Sequence, residues 1–309
     1  MSVSRRLTIF EGPDGSGKTT LARAYAERTR AHYVHLGPFP RVSTGLARLY
    51  AEAMAPAVLG LADVVLDRSW LSERPYGDAF REGRDRLGSR ARQLERLALR
   101  CAACVVRCLP PLGIVEEGFA HRRQVEYLTH VEQLRQVYAS YGALETALPM
   151  ITLNPLNDRV ETCVAWVRDH ASERESTPHD LAWRTAGNLR APILIVGQDF
   201  GETGNNDSLV RWPFGDADGG LWLSNRLDDA DVSETCLCWA DSESLPYGFA
   251  ARFSHVIILG VTAGSTGTLL GADAPIVHRV GHPGEWRRFH ARKGDYPLIA
   301  KLKEILCTP

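Results

Sequence analysis

Residues 10–20 read FEGPDGSGKTT, and the spacing Gly12-x-x-x-x-Gly17-Lys18-Thr19 within them is that of a phosphate-binding loop. The chemistry it offers is anion capture. Successive backbone N–H groups curl around phosphate oxygens, and glycines allow both the dihedral angles and the close approach. Gly12, Gly15, Ser16, Gly17 and Thr20 form the cradle, Lys18 can reach the phosphate in transfer, and the Thr19 hydroxyl can bind Mg²⁺. An ordinary glycine-rich turn has a similar composition, so the flanks decide. RLTIF (6–10) reads as a short buried strand and KTTLARAYAERT (18–29) as a helix. Strand, loop, helix is the setting the motif requires.

Those flanks belong to a longer rhythm. Between residue 5 and about 170, LTIF, YVHL, DVVLDR, ACVVRCL and MITLN are strand candidates, alternating with helical patterns at 18–30, 44–56, 88–102, 123–142 and 158–171. Such alternation implies an α/β fold, a parallel sheet covered by helices on both faces. HASERESTPHDLAWRTAGNLRAP then breaks the rhythm, polar and without a strand, and reads as a linker over 172–190. A second α/β rhythm follows: ILIVG, a Gly/Asn/Asp-rich loop, LWLSNRL as a helix, TCLCWA and HVIILG as strands, PIVHRVGHP, and a closing helix near 296–306. The expected organisation is therefore a domain at 1–171, the linker, and a second, smaller α/β domain at 191–309.

FEGPDGSGKTT taken with LDRSWLSERPYG resembles the thymidylate kinase group of P-loop nucleoside monophosphate kinases, over roughly residues 5–170. Asp14 matches the acid of that group's loop, Asp67-Arg68 its Asp-Arg pair at a strand end, and Arg41 in FPRVSTGLARLYAEA its acceptor-phosphate arginine. The resemblance implies ATP as donor, Mg²⁺ held at Thr19 and Asp67, and a nucleotide acceptor clamped by Arg41 and Arg68. Two anions must meet, so positive charge is needed on both sides of the transferring group. Arginine can grip a phosphate bidentately, which lysine cannot. Gly15 stands where some members carry a loop arginine, so charge over the transferring group falls to the lid, where Arg122 and Arg123 lie in EEGFAHRRQVEYL. A solvated basic turn is the alternative for that pair. Tyr76 and Phe80 fall where the group stacks and reads its base. Thymidylate and a 5-substituted deoxyuridylate fit these residues equally.

The motifs ILIVGQDFGETGNND, WPFGDADGGLWLSNRL, CLCWAD, HVIILG and GHP resemble, in order and spacing, the uracil-DNA glycosylase superfamily over roughly 191–306. Asp199, with Gln198 beside it, matches the acid that positions water. His282-Pro283 matches the late histidine motif. The departures are specific: Ala240-Asp241 replaces the base-reading asparagine, Phe200 replaces a proline, and GEWRRFHARKG replaces the DNA-inserting loop. A nucleotide- or base-binding accessory pocket of Gln198, Asp199, Asp241 and His282 is expected, rather than excision from duplex DNA.

Bulk properties narrow the classes. The 36 basic and 37 acidic residues leave a formal net charge of −1, so no global drive toward nucleic acid or membrane exists. Nucleic acid stays open through the second domain, as does a homodimer. No apolar run reaches membrane-span length, and no cleavable signal precedes the first strand, so a cytoplasmic location is expected, that of a host cell if the chain is viral. The seven cysteines are scattered. Cys101, Cys104 and Cys108 read as buried thiols rather than zinc ligands. Two other classes remain: an enzyme acting on DNA, either a kinase of a hydroxymethylated base or a glycosylase, and a non-catalytic nucleotide sensor.

Overall fold

A computed structural model describes residues 6–37, 45–58, 60–84, 86–88, 90–120, 128–172, 185–188, 190–197, 218–241, 249–260, 275–283, 286 and 296–307. It divides into two compact units, Met1–Leu94 with Cys101–Ser176 and Glu95–Arg100 with Thr177–Pro309.

In the first unit the strands are β1 (Leu7–Glu11), β2 (His32–His35), β3 (Val64–Asp67), β4 (Cys104–Cys108) and β5 (Met150–Leu153), all parallel in the order β2-β3-β1-β4-β5. The helices are α1 (Lys18–Thr29), α2 (Leu46–Val58), α3 (Glu73–Phe80), α5 (Leu112–Ala120), α6 (Val131–Gly142) and α7 (Val160–Ser172), while α4 (Arg90–Arg100) begins in this unit and has Glu95–Arg100 assigned to the second. β1 is central and wholly buried, which is why LTIF reads as a continuous apolar run rather than an alternating one. On one face Phe10, Val65, Val106 and Cys108 pack against Leu21, Ala22 and Tyr25 of α1 and Cys163 and Val167 of α7. Helices α3 and α5 were not expected from the sequence. Each is short and interrupted by Gly or Pro, in ERPYGDAF and LGIVEEGFA, so helical periodicity is masked there.

The second unit is a further sheet, ordered β10-β9-β7-β8-β6. Its strands are β6 (Thr185–Gly187), β7 (Ile193–Gly197), β8 (Leu237–Asp241), β9 (His255–Leu259) and β10 (Ile276–Val280). Pairing is parallel except between β6 and β8. Period-two alternation along β7 sends Ile193 and Ile195 to one face, with Leu223 and Leu227 of α8 (Asp218–Asp229) and Leu298, Ile299 and Leu302 of α9 (Pro297–Cys307). Leu194 and Val196 meet Phe249 and Phe253 on the other. β6 corrects the reading of 172–190 as strand-free. Three residues are too few for a period of two to register in sequence, and the partner is some 50 residues away, at Cys238–Ala240.

Cys101, Cys104 and Cys108 are buried. Burial pushes the Cys108 thiol well above its ordinary value. Among the described residues no helix is long and apolar enough to cross a membrane.

Sheet closure leaves no room beside the loop that follows β1. An added Cβ at Gly12, where φ is 150°, would lie 2.4 Å from the Cys108 carbonyl oxygen, a backbone atom fixed in β4. Gly12→Ala is therefore expected to lower stability by about 1–3 kcal/mol in urea denaturation. Gly142→Ala, at the end of α6 with nothing within 4 Å of the new methyl group, is the matched control and should change it by less than about 1 kcal/mol.

Candidate active site

The loop between β1 and α1 delivers backbone donors to the carboxyl ends of the strands, the edge where open α/β sheets bind ligands. Gly17 occupies the cap position of α1, no side chain caps the helix, and its first turn carries no acid. The leading N–H groups and the positive end of the helix dipole are thus left for an anion. Ser16 Oγ is buried and makes no hydrogen bond. An unmet buried hydroxyl is costly, and its place in the cradle suits a phosphate oxygen. At Gly15 an added Cβ would come within 3.1 Å of the Val115 carbonyl oxygen, so the position that could have carried an arginine is closed by α5.

Lys18 Nζ lies 3.0 Å from Asp67 Oδ1, and both side chains are almost fully buried. The register that pairs Phe10 with Asp67 brings the end of β3 beside the loop. Asp67 Oδ2 accepts from the Tyr33 hydroxyl at 2.8 Å and lies 2.8 Å from His35 Nδ1. Burial alone would raise the Asp67 carboxyl, but the Lys18 charge and hydrogen bonds from Thr19, Lys18 and Tyr33 hold it well below the usual carboxylate range. Lys18 is drawn down by its own burial and then by the Arg68 charge, against the pull of Asp67. Lys18 ties Asp67 to the start of α1, where Thr19, the other group expected to hold Mg²⁺, is the next residue. A cation of that kind takes one or two protein carboxylates and completes its shell with water and phosphate. No cluster of three or more His, Cys, Asp or Glu side chains suited to a metal occurs among the described residues.

Arg68 turns the opposite way. Its guanidinium pairs with Asp14 in the loop and sits 4.9 Å over the Tyr76 ring. The Tyr76 hydroxyl donates to the other Asp14 oxygen at 2.8 Å. Arg68 has φ 76°, a left-handed backbone costing about 1–2 kcal/mol for a residue with a side chain. The ring expected to meet a base is buried: Arg68 covers it, Phe80 stacks at 6.2 Å and Tyr141 meets its edge at 6.5 Å. Phe80 is half-buried beside it.

Two buried acids were missed. Glu11, the last residue of β1, accepts through Oε1 from Ser69 N and Ser69 Oγ, both at 2.7 Å. Its Oε2 accepts from Ser72 Oγ at 2.6 Å and Tyr141 OH at 3.0 Å. Glu73 accepts from Tyr50 OH at 2.9 Å and from Arg86 Nε and Nη2, both at 2.9 Å. A hint of Glu11 lay in the sequence, since an acid that closes an otherwise apolar strand must find donors. Tyr33 and His35 carried no such hint. Arg41, Arg122, Arg123, Gln198 and Asp199 lie outside the described residues. So does GEWRRFHARKG apart from Trp286. In the second unit Asp241 ends β8, and His282, two residues past β10, packs beside Gly260.

No protein-family model matches the chain, and no curated protein matches it. Solved structures are similar over about half of it. The YorR protein of Bacillus subtilis, in complex with phosphorylated GDP, is 16% identical, covering 55% of this chain and 99% of its own, with a TM-score of 0.44. A sugar kinase from Janibacter sp. is 18% identical over 54% of this chain and 95% of its own, with a TM-score of 0.37. The deoxyadenosine kinase of M. mycoides with bound dCTP is 13% identical over 54% of this chain and 100% of its own, with a TM-score of 0.36.

The lowered Asp67 carboxyl fixes a sign. A depressed native value contributes stability above the unfolded value of 3.8 and loses it as pH falls toward the native one. Asp67→Asn leaves Lys18 buried without its counter-charge, so at pH 7 it should cost about 3–5 kcal/mol. That gap from wild type should narrow in urea titrations carried from pH 6 to pH 3. A gap independent of pH would show that Asp67 is not ionised in the folded protein.

Proposed function

We propose that the chain transfers the γ-phosphoryl group of ATP to the phosphate of a deoxynucleoside monophosphate, either thymidylate or a 5-substituted deoxyuridylate. The observation that carries the reading is an uncapped helix start with Lys18 buried at its first residue and a strand-end Asp67-Arg68 pair beside it. Lys18 would stabilise charge that grows on the donor phosphates during transfer. Mg²⁺, held by Thr19 and Asp67, would supply neutralisation of the donor phosphates. Asp67 keeps Lys18 charged in a dry site, and Tyr33 and His35 keep Asp67 in place.

Arg68 would grip the acceptor phosphate, with Arg41 as its partner. Asp14 then has a clear task. It holds the guanidinium at the loop until an anion offers a better partner, and Tyr76 fixes Asp14 in turn. Arg122 or Arg123 would bring the remaining charge over the transferring group. A switch that only binds a nucleotide has no use for acceptor clamps, which favours catalysis over sensing. For the second unit the reading is an accessory pocket for a nucleotide or base, with Gln198, Asp199, Asp241 and His282 as its expected residues.

The test is ADP release from ATP with a panel of deoxynucleoside monophosphates, free and within oligonucleotides. Turnover is expected with free pyrimidine monophosphates. Turnover only with oligonucleotides would move the reaction to DNA, and none with any acceptor would end the kinase reading. Lys18→Ala, checked for folding, should lose phosphoryl transfer by at least about a hundredfold in kcat. Arg68→Ala should raise the acceptor KM by roughly 30-fold, the equivalent of about 2 kcal/mol for a charge-assisted contact, with the ATP KM little changed. An effect confined to ATP would assign Arg68 to the donor.

A further inference from the structure

We propose that Glu11 is a positioning residue for Arg68, and that it acts on the backbone of the residue that follows. The inference rests on the kinase reading for what Arg68 grips, and on geometry alone for how Arg68 is held.

The starting point is the left-handed Arg68 backbone. A buried residue with a side chain keeps that conformation only where its neighbours leave no alternative. On the near side, Arg68 N donates to the Phe10 carbonyl oxygen at 3.0 Å, so the residue enters the bend still tied to β1. On the far side, the Ser69 amide and hydroxyl both donate to one oxygen of Glu11. Ser69 Oγ in turn accepts from Leu71 N at 3.2 Å, which caps the short 3-10 turn Trp70–Ser72. The bend at Arg68 is therefore clamped between two consecutive residues of β1, Phe10 through its carbonyl and Glu11 through its side chain. β1 is itself fixed by pairing on both edges.

The second Glu11 oxygen extends the clamp to α6 through Tyr141, and Ser72 Oγ and Tyr141 OH also lie 2.8 Å apart. Glu11 thus receives four donors while fully buried. What the site takes from Glu11 is acceptor oxygens. Burial pushes its carboxyl above the usual range, against the pull of Ser72, Ser69 and the Arg68 and Lys18 charges. The side chain itself is not hydrogen-bonded to the Arg68 guanidinium, whose partner is Asp14. Glu11 accordingly acts through Ser69, by setting where the Arg68 side chain starts.

A group that only stabilises the fold would weaken donor and acceptor binding alike, whereas one that aims Arg68 would weaken the acceptor alone. The experiment measures dissociation constants for ATP and thymidylate by calorimetry, and both KM values, in wild type, Glu11→Ala, Glu11→Gln, Ser69→Ala and Arg68→Ala. Glu11→Gln keeps an acceptor for Ser69 and offers an amide that the two hydroxyls can accept, so it should stay within about threefold of wild type. Glu11→Ala should weaken thymidylate about tenfold or more and ATP by less than about threefold, approaching Arg68→Ala. Ser69→Ala, which keeps the amide contact and loses the hydroxyl, should fall between and covers the case in which Glu11→Ala does not fold.

Equal losses for both ligands in Ser69→Ala and Glu11→Ala, or a Glu11→Gln protein as impaired as Glu11→Ala, would overturn the inference. Selective loss of thymidylate binding in a protein that releases no ADP would uphold it and sink the kinase reading. Normal turnover with unselective losses would do the reverse. Wild type that binds neither ligand would overturn both.

Discussion

An ammonium and a carboxylate share one dry corner of the first sheet, and neither could be there alone. Burying a lone Lys18 or a lone Asp67 would cost several kcal/mol of lost hydration, and the pair is tolerated only because each neutralises the other at hydrogen-bonding distance. That requirement reaches back into topology. β3 has to lie beside β1 for Asp67 to meet the first residue of α1, and the order β2-β3-β1 brings β2 in turn to place Tyr33 and His35 on the far side of the same carboxylate.

Next to this pair the chain reverses its logic within a single residue. Asp67 pairs with Lys18 at the helix start and Arg68 with Asp14 in the loop, so consecutive side chains turn to different partners. The reversal is made by the backbone at Arg68, and the strain it carries is met by hydrogen bonds that run back to β1. Asp14, Arg68 and Tyr76 join the loop to the strand end, and Glu11 joins Ser69 and Tyr141 of α6, two polar clusters that meet where Arg68 runs into Ser69 and in which nearly every member is buried. Such networks hold one geometry well when every donor and acceptor is met, and hold it poorly otherwise.

Much of this is legible in the sequence, and the divide has physical causes. The phosphate loop is visible because its demands are local: two glycines, a lysine and a hydroxyl at fixed spacing, between a strand and a helix. The central strands β1, β3 and β7 are visible because burial on both faces leaves them almost wholly apolar. The roles of Glu11 and Tyr76 depend on partners 58 and 62 residues away, at Ser69 and Asp14, and no local pattern reports such pairs. Tyr76 has the residue type and the position expected of a base-stacking ring. Its packing against Arg68, Phe80 and Tyr141 has no such local signal.

The antiparallel strand Thr185–Gly187 also serves β8. A strand at the border of a sheet exposes a row of unpaired N–H and C=O groups, which another chain can adopt as a template. β6 occupies that row from Thr185↔Ala240 to Gly187↔Cys238, and past the left-handed Gly187 the Asn188 amide still donates to the Leu237 carbonyl oxygen at 2.9 Å. The row of β8 that would have been adhesive is thus taken up by the polypeptide itself, from within the same unit.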